Sequence, residues 1–416
     1  MTSEWKVQKI STLGEFDRGK SKHRPRDAKH LYGGAHPFIQ TGDITNSGGR
    51  ITSYRQTYSD AGLAQSKLWP AGTLAITIAA NIAETALLTF PACFPDSVVG
   101  FTADPNKSDV RFVEYLFQAM RKKVKSHAYG SAQENINLAV LRNLEFPIPP
   151  LQLQTKIADY LSLLDDRITL LRETNQTLEA IAQVLFKSWF VDFDPVRAKV
   201  EGKLPAGIDA ATAELFPDAF EESELGVVPK GWAFQAVGDL LVPKRGKSIT
   251  KTKCVEGDIP VVAGGLEPAY FHNQSNVSSP VVTISASGAN AGFVRLYQRD
   301  IWASDCSFVS AEQTEAIYFW YVFLKFNQEK IYFMQQGAAQ PHIYPSDLIR
   351  LHICSSQTDK LRGAFNSLVS PLFDRIGLNG AKIHTLSNLR DTLLPRLISG
   401  QLRIADAEAE LEKAKA

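Results

Sequence analysis

The stretch from residue 157 to residue 185 constrains the fold more than any other part of the sequence. Apolar residues recur in it at intervals that alternate four and three, with one asparagine in the series. This spacing is the a/d seam of a coiled coil and predicts one long helix. Prolines stand on both sides of the stretch, and proline ends helices because it lacks a backbone N–H. At about 1.5 Å per residue the seam is a rod of roughly 42 Å, which needs a partner helix to cover its apolar side. The seam residues are Ile157, Leu161, Leu164, Ile168, Leu171, Asn175, Leu178, Ala182 and Leu185.

A second copy of this helix lies near the end of the chain. A shift of 208 residues aligns Asp166-Arg167-Ile168 with Asp374-Arg375-Ile376 and Leu185 with Leu393. We therefore predict that the two helices pack antiparallel about a pseudo-two-fold axis. Such packing would set Asn175 opposite Asn379 as a buried polar pair that fixes register, whereas the alternative is an exposed Asn379. The predicted second seam is Leu372, Ile376, Asn379, Ile383, Leu386 and Leu393.

The segments that precede the two helices are also duplicated, mainly at their ends. A shift of 227 aligns Arg18-Gly19-Lys20-Ser21 with Arg245-Gly246-Lys247-Ser248, and a shift of 207 aligns Gly130-Ser131-Ala132-Gln133 with Gly337-Ala338-Ala339-Gln340. Between these anchors the likeness thins to short strand-like patches. The sequence therefore predicts an α+β protein with a pseudo-two-fold internal repeat. In it, two tandem α/β modules are separated by two long antiparallel coiled-coil helices.

The predicted order along the chain is module, helix, linker, module, helix. The first module covers residues 1–150 and the central helix residues 151–191. A linker of residues 192–230 is rich in Pro, Gly, Ala and acids, which is typical of a solvated connection. The second module covers residues 231–354, the distal helix residues 355–404 and a C-terminal tail residues 405–416.

Composition excludes several classes of protein. No apolar run approaches the ~18 residues of a membrane span, and the first residues do not resemble a signal peptide, so we expect a cytoplasmic protein without membrane contact. The four cysteines are scattered, with no C-x-x-C pair and no ordered pairing with histidine. This pattern favours reduced thiols over a zinc site or a disulfide framework.

Basic residues are concentrated in two segments, although the net charge of the chain is only +1. Between residues 201 and 224 there are seven acids and one lysine, so this stretch carries −6 and the remainder carries +7. The two basic runs follow matching strands at matching positions. Basic loops of this kind neutralise DNA phosphates, and some of their side chains can reach base edges. A solvated charged face is the alternative. The predicted DNA-binding residues are Lys20, Lys22, Arg24, Arg26, Lys29, Lys244, Arg245, Lys247, Lys251 and Lys253.

Motifs typical of catalysis are weak or missing. The run from Gly14 to Ser21 fits the pattern G-x-x-x-x-G-K-[ST], but a phosphate-binding loop needs a helix that starts at its lysine. Lys22-His23-Arg24-Pro25 is a poor helix start, and the second copy has Leu241 in place of Gly14. The sequence contains no H-E-x-x-H, no G-x-S-x-G and no N-P-P-[FY] run. We therefore predict no catalytic, cofactor-binding or metal-binding residue.

Other polar and aromatic residues allow two interpretations each, one functional and one structural. Gln133 and Gln340 could read adenine bidentately or could stabilise a turn. Asn81 and the small polar stretch 285–292 suit either simple turns or close approach of the backbone to a ligand. The aromatic run 317–326 could stack on unpaired bases, but its apolar character favours the core.

Several short runs, together with this architecture, point to a known family. The run Ser188-Trp189-Phe190-Val191-Asp192-Phe193-Asp194-Pro195, the entry Pro229-Lys230-Gly231-Trp232 and the run Leu394-Pro395-Arg396-Leu397-Ile398-Ser399-Gly400 complete the pattern. The chain resembles the specificity subunit of type I restriction-modification systems over essentially its whole length.

The resemblance implies a non-catalytic reader of double-stranded DNA. Each module would be a target-recognition domain for one half of a bipartite, asymmetric site. The helices would form the spacer and dock two methyltransferase (modification) subunits, and a restriction/motor subunit would join them. S-adenosylmethionine, ATP and Mg are then expected on partner subunits, with no cofactor on this chain. A ~42 Å rod corresponds to roughly 12 base pairs at ~3.4 Å each. The alternative function is a coiled-coil scaffold or adaptor without DNA contact.

Overall fold

The computed structural model describes residues 5–79, 81–126, 136–224, 226–337, 340–356 and 358–407. The chain forms two compact units, of which the first contains residues 1–170 and 382–416 and the second contains residues 171–381. Each unit therefore holds one module and a part of each long helix. The predicted tail lies outside the described residues from residue 408 onward. Over the described ranges, no helix has the length and apolar character needed to cross a bilayer.

The first module is built on two sheets and short helices. Its strands are β1 (Lys6–Lys9), β2 (Gly14–Arg18), β3 (Tyr32–Phe38), β4 (Arg50–Ile51), β5 (Gln56–Tyr58), β6 (Leu68–Trp69), β7 (Leu74–Thr77), β8 (Thr85–Leu88), β9 (Ala92–Cys93), β10 (Val98–Ala103) and β11 (Glu145–Ile148). Its helices are α1 (Thr41–Asn46), α2 (Asp60–Ala64), α3 (Val110–Ala119), α4 (Arg121–Ser126) and α5 (Leu138–Asn143), and the long helix α6 (Leu151–Phe190) follows.

The sheet that carries β2 has the strand order β2-β10-β7-β8-β4. Strands β7 and β8 are buried at every residue, which explains their continuous apolar sequences. A second sheet has the order β5-β3-β9-β6, and β1 pairs with β11 at the two ends of the module. Helix α3 packs into the same core, and its N-cap residue Asp109 accepts a hydrogen bond from the Arg111 backbone N–H.

The second unit begins inside α6 and continues with smaller elements. Its other helices are α7 (Asp194–Val200), α8 (Ala210–Glu214), α9 (Val237–Leu240), α10 (Ile317–Phe326), α11 (Gln328–Phe333) and α12 (Pro345–Leu348), before the long helix α13 (Lys360–Ile398). Its strands are β12 (Phe220–Ser223), β13 (Gly226–Pro229), β14 (Trp232–Ala236), β15 (Lys244–Arg245), β16 (Ile259–Val262), β17 (Tyr270–His272), β18 (Val281–Ser285), β19 (Val294–Tyr297), β20 (Trp302–Ala303), β21 (Cys306–Ser310) and β22 (His352–Ser356).

The strand orders of the second module follow those of the first in part. Strands β15-β21-β18-β19 form one sheet, β17-β16-β20 form another, and β14 pairs with β22 as β1 pairs with β11. The aromatic run of the sequence is helix α10, and residues 319–324 of this helix are all buried. The prediction that this run belongs to the core is confirmed.

The two long helices pack antiparallel, as the second unit shows. Asn379 donates a hydrogen bond to Oδ1 of Asn175 at 2.8 Å, and Asn175 donates to the Ile376 carbonyl at 3.4 Å. Further along α6, the ring of Phe186 lies 5.9 Å from the ring of Phe365, so later residues of α6 meet earlier residues of α13. Asn379 is 1% exposed. The predicted asparagine pair is therefore confirmed.

The predicted seam residues are all buried or half-buried, and in the second unit two phenylalanines next to the seam are buried more deeply than the seam leucines before them. Leu185 and Leu372 are only half-buried, whereas the next residues Phe186 and Phe373 are buried at 2% and 1% exposure. An α-helix has 3.6 residues per turn, so a strict heptad drifts around its surface with length. In the second unit this drift makes the phenylalanines the residues that close the helix pair.

In the first unit the module is joined to the long helices by polar contacts. The Tyr115 hydroxyl donates to Asp165 at 2.6 Å, and the Arg390 guanidinium donates to the other oxygen of Asp165 at 2.7 Å. Nη1 of Arg50 in β4 lies 2.5 Å from Oδ1 of Asp166, the residue that follows Asp165 in α6. The second unit uses the same chemistry, since the Tyr321 hydroxyl donates to Glu179 at 2.8 Å.

The segment expected to be a solvated linker is folded. Its residues form α7, α8 and the β12–β13 hairpin, and Val196 and Phe216 are buried at 0% and 1% exposure. The Phe216 ring contacts Trp189 at 5.1 Å between centroids, and the Phe193 ring contacts Trp232 at 5.7 Å. These apolar side chains outweigh the acidic composition of the segment, because burial of an aromatic side chain stabilises by about 1.5–3 kcal/mol.

Candidate nucleic-acid interface

Each module carries an exposed basic segment at an edge strand of its larger sheet. We define the first basic loop as residues 20–29, after β2, and the second basic loop as residues 244–253, which includes the short strand β15. The side chains of all ten predicted DNA-binding residues are exposed, and none of them belongs to a core cluster. The residues are Lys20, Lys22, Arg24, Arg26, Lys29, Lys244, Arg245, Lys247, Lys251 and Lys253.

The glycine of the repeated Arg-Gly-Lys-Ser motif brings each strand close to a neighbouring backbone. A Cβ atom on Gly19 would lie 2.2 Å from the Pro95 carbonyl oxygen, and one on Gly246 would lie 2.4 Å from the Ser304 carbonyl oxygen. The Gly19 N–H donates to the Val98 carbonyl at 2.9 Å, and the Gly246 N–H donates equivalently to Cys306 at 2.8 Å. The repeated motif is therefore the structural base of each basic loop, because only glycine permits this approach.

This geometry differs from that of a phosphate-binding loop. Residues 19–24 are not helical, so no helix N-terminus points its backbone N–H groups at a ligand near Lys20. The Lys20 carbonyl instead accepts a hydrogen bond from the Ser66 hydroxyl at 2.8 Å. The backbone at Lys20 therefore lacks the helix start that the formal nucleotide-binding pattern requires.

Both arginines of the first basic loop lie close to the same carboxylate, that of Asp96. The lysines of this loop form no ion pair with it. Nη2 of Arg26 donates to both oxygens of Asp96 at 2.8 Å each, and the Arg24 guanidinium lies 3.9 Å from the same carboxylate. Within the described ranges Lys20, Lys22 and Lys29 take part in no ion pair. Their ammonium groups are the free charges of this loop, whereas Asp96 partly neutralises the two arginines.

The second basic loop repeats this division between arginine and lysine. Arg245 donates to Asp305 at 2.6 Å, and the Ser287 hydroxyl also donates to Asp305. The four lysines Lys244, Lys247, Lys251 and Lys253 are in no ion pair with any residue that the structure describes. The Lys247 carbonyl accepts a hydrogen bond from Nε1 of Trp302 at 2.8 Å, which holds the loop against β20.

The remaining polar candidates are placed as follows. Gln133 lies outside the described residues, and Gln340 is exposed. Asn81 is exposed and donates to the Thr45 hydroxyl at 3.2 Å. Ser285 is buried and donates to the Gly264 carbonyl at 3.1 Å, so it supports a turn.

Two ionisable groups with strongly shifted pKa values lie where the first module contacts the long helices. Burial raises the pKa of Glu114 to about 8, and Gln118 donates a hydrogen bond to its carboxyl. Burial, reinforced by Asp165, also raises the pKa of Tyr115 well above its ordinary value. Nearer the first basic loop, the hydrogen bond from Lys67 at 2.7 Å lowers the pKa of Asp17. None of these groups is a predicted DNA contact.

Sequence reasoning missed His342 and Tyr344 of the second unit. Tyr344 is 44% exposed, and its ring stacks on that of His342 at 6.0 Å between centroids and 14° between planes. The alternation His-Ile-Tyr just after the repeated Gly-Ala-Ala-Gln anchor is typical of an extended segment with one outward face, and it could have indicated the pair.

A duplicated α+β module with an exposed basic loop on each copy, joined through two long paired helices, defines a tandem-module DNA-recognition protein. Comparison with known families agrees with this class. The family model described as the type I restriction modification DNA specificity domain matches residues 2–180 and 229–354, and the chain belongs to that family.

Individual relatives are similar over most of their length. The type I restriction enzyme MjaIX specificity subunit of Methanocaldococcus jannaschii is 27% identical over 435 aligned positions, which cover 97% of this chain and 94% of that protein. The type I restriction enzyme HindI specificity subunit of Haemophilus influenzae is 28% identical over 370 positions, covering 72% of this chain and 79% of that protein. The crystal structure of the S subunit of the type I restriction-modification system from M. genitalium shares the fold, with a TM-score of 0.58 and 18% identity over 95% of this chain and 97% of that one.

Proposed function

We propose that this chain is the non-catalytic subunit that selects the DNA sequence for a type I restriction-modification complex. Each module reads one half of a bipartite, asymmetric site in double-stranded DNA. The observation that carries the proposal is the match of the DNA specificity model to both modules, each of which presents an exposed basic loop on the same glycine-dependent base.

The lysines of the two loops supply the sequence-independent part of binding. An ammonium group without a carboxylate partner neutralises a phosphate and releases a condensed counterion, which gives salt-dependent affinity. The arginines are held in place by Asp96 and Asp305, so they present a fixed guanidinium edge. Fixed donors of this kind suit oriented contacts to a phosphate or to a guanine edge.

The long helices dock two methyltransferase subunits through apolar residues that face away from the seam. Leu170 is 51% exposed and Leu378 is 59% exposed, and these two leucines are equivalent under the 208-residue repeat. Each compact unit contains one of them. Exposed apolar side chains at equivalent repeat positions are consistent with two copies of one partner, because a repeated surface binds the same ligand twice.

In this proposal the partner subunits carry out the catalytic steps. The methyltransferase subunits bind S-adenosylmethionine, and a restriction/motor subunit uses ATP and Mg. The backbone after Lys20 supports this assignment, because it does not form a nucleotide-binding loop. A coiled-coil scaffold without DNA contact is not favoured, since it leaves both basic loops without a role.

The proposal is tested by reconstituting the chain with its cognate methyltransferase subunits and mapping the methylated adenines on a genomic library. The expected result is one motif made of two short, different half-sites separated by a gap of fixed length. Methylation without sequence preference, or a motif with a single half-site, would contradict it. Methyltransferase subunits without this chain serve as the control and are expected to show no such motif.

A further inference from the structure

Residues 341–344 of the second unit form a short extended segment whose backbone is held on both sides. The His342 N–H donates to the Gln336 carbonyl at 2.8 Å, and the Gln336 N–H donates back to His342 at 3.0 Å. On the other side, the Gly288 N–H donates to Pro341 at 3.0 Å and the Ile343 N–H donates to Ala286 at 3.0 Å. The segment therefore extends the edge formed by the loop after β18.

Alternation along this segment divides its side chains between core and solvent. Ile343 is fully buried, while Tyr344 on the opposite face is 44% exposed and His342 is half-buried. The two outward rings stack at 6.0 Å and 14°. A stacked pair on a hydrogen-bonded backbone loses little conformational entropy when it binds, so it is a preorganised contact surface.

The outward pair lies next to the second basic loop in the fold. Ser287 forms a backbone bridge with His342, and its hydroxyl donates to Asp305. Asp305 in turn holds Arg245 at 2.6 Å. Ser287 and Asp305 thus connect the two rings to the second basic loop. Sequence-specific DNA binding needs both cations that contact phosphates and hydrogen-bonding groups that contact bases.

The first unit has the same backbone frame with different side chains. The Ile136 N–H donates to Ile78 at 3.1 Å, as Ile343 donates to Ala286. Under the 207-residue shift Asn137 stands where Tyr344 stands, and both are helix N-cap residues. The Asn137 side chain caps α5 by accepting from the Val140 N–H at 2.8 Å, whereas the N–H of Tyr344, which caps α12, donates to Asp347 at 2.9 Å. A frame common to both modules cannot distinguish two different half-sites, but side chains that differ on this frame can.

We propose that His342 and Tyr344 form a base-reading pair that sets the sequence preference of the second module. The inference rests on the proposed function and assigns base recognition to these two side chains. Both an imidazole and a phenol can donate and accept hydrogen bonds at base edges. The lysines of the adjacent basic loop bind phosphates and position the pair.

The test replaces both residues by asparagine, His342→Asn and Tyr344→Asn, which are the side-chain types of the first module at these positions. Asparagine also retains the capacity to cap α12. The complex reconstituted with its methyltransferase subunits is used to select from duplexes in which both half-sites are randomised. We expect the preference at one or more base pairs of one half-site to fall about tenfold, while the other half-site and the salt dependence of binding stay unchanged.

His352→Asn, at an exposed histidine of β22 in the same unit, is the matched control and is expected to leave both half-sites unaltered. An unchanged motif in the double variant overturns the inference. Equal weakening on all duplexes also overturns it, because that result is expected of a phosphate contact or a folding defect. Tyr344→Phe, which keeps the ring, separates loss of the hydroxyl from loss of stacking. The proposed function fails separately if the parent complex itself selects no motif.

Discussion

At the residue scale, two glycines that lie close to a neighbouring backbone and a set of lysines outside any ion pair among the described residues explain the two basic loops. Gly19 and Gly246 explain why Arg-Gly-Lys-Ser survives in both halves of the chain, since a Cβ at either position would collide with a carbonyl oxygen. The lysine that follows each glycine is exposed. The first glycine of the formal nucleotide-binding pattern has no such counterpart, because Leu241 occupies its place.

Substitution of Lys20→Ala together with Lys247→Ala is expected to weaken binding to every DNA sequence. Each lysine that neutralises a phosphate contributes about 0.9 to the slope of log affinity against log salt, so the slope should decrease by about two. Fluorescence anisotropy with the reconstituted complex, between low and moderate salt, measures both effects. Lys203→Ala, at an exposed lysine paired with Glu201 at 2.7 Å, is the control. A double variant with the parent slope would exclude these lysines as phosphate contacts.

Glu114 makes stability depend on pH in the opposite sense to an ordinary salt-bridged carboxylate. Its pKa is raised from 4.5 to about 8 by burial, so between these values the unfolded chain loses a proton that the folded chain keeps. The free energy of unfolding contributed by this group therefore falls as pH rises from 5 to 8. Relative to Glu114→Gln, the parent should lose a few kcal/mol over this range, since each pKa unit is worth about 1.4 kcal/mol.

Urea unfolding at pH 5 and pH 8 measures this difference. Glu145→Gln, at an exposed carboxyl of β11 in the same unit, should follow the pH dependence of the parent. If Glu114→Gln also follows the parent, the Glu114 carboxyl ionises normally in the folded state and this account of its burial is wrong.

At the scale of elements, the spacing of apolar residues predicted the long helices well. Helix α6 ends at Phe190 where residue 191 was expected, and α13 runs over Lys360–Ile398 inside the predicted range 355–404. The folded linker could not be predicted in the same way, because Phe193, Val196 and Phe216 follow no period. Their partners, such as Trp232, are distant in sequence, so only the folded chain brings them together.

Replacement of both Asn175 and Asn379 by leucine should stabilise the second unit by about 1 kcal/mol or more. A buried amide pair costs stability relative to an apolar pair, and Oδ1 of Asn379 has no hydrogen-bond partner among the residues described. The single substitution Asn379→Leu should instead destabilise, because it removes the donor to Asn175. Thermal and urea unfolding of the two variants and the parent measure this pattern. Stabilisation by the single change equal to that of the double would contradict the pairing.

At the scale of the whole molecule, each compact unit takes one module and a part of both long helices. The sequence indicated modules and helices as separate segments, because aligning the chain with itself identifies only contiguous stretches that are repeated. Packing instead groups residues 382–416 with residues 1–170. Contacts such as Asp165 to Arg390 explain this grouping, because they join segments that are 225 residues apart.

Assembly is the property to test at this scale. Leu170→Glu with Leu378→Glu is expected to weaken association with the methyltransferase subunits by tenfold or more, because a charge at an apolar contact must be desolvated. Sedimentation velocity of the mixed subunits measures the loss. DNA binding by the isolated chain should not change, because neither leucine belongs to a basic loop. Phe234→Glu, at a 39% exposed residue of β14, is the control, and equal loss in this control would argue against the helical docking surface.

The amino-acid sequence by itself determined the duplication, the two long helices and the family, because each of these is encoded in spacing or short runs within contiguous segments. The sequence left the pairing of Asn175 with Asn379 open, and the structure decided it. Only the tertiary structure decided which cations are free and which are held by Asp96 and Asp305, and that His342 and Tyr344 lie beside the second basic loop. Those contacts join side chains from loops far apart in the chain, and no local pattern records which loops meet when the sheets form.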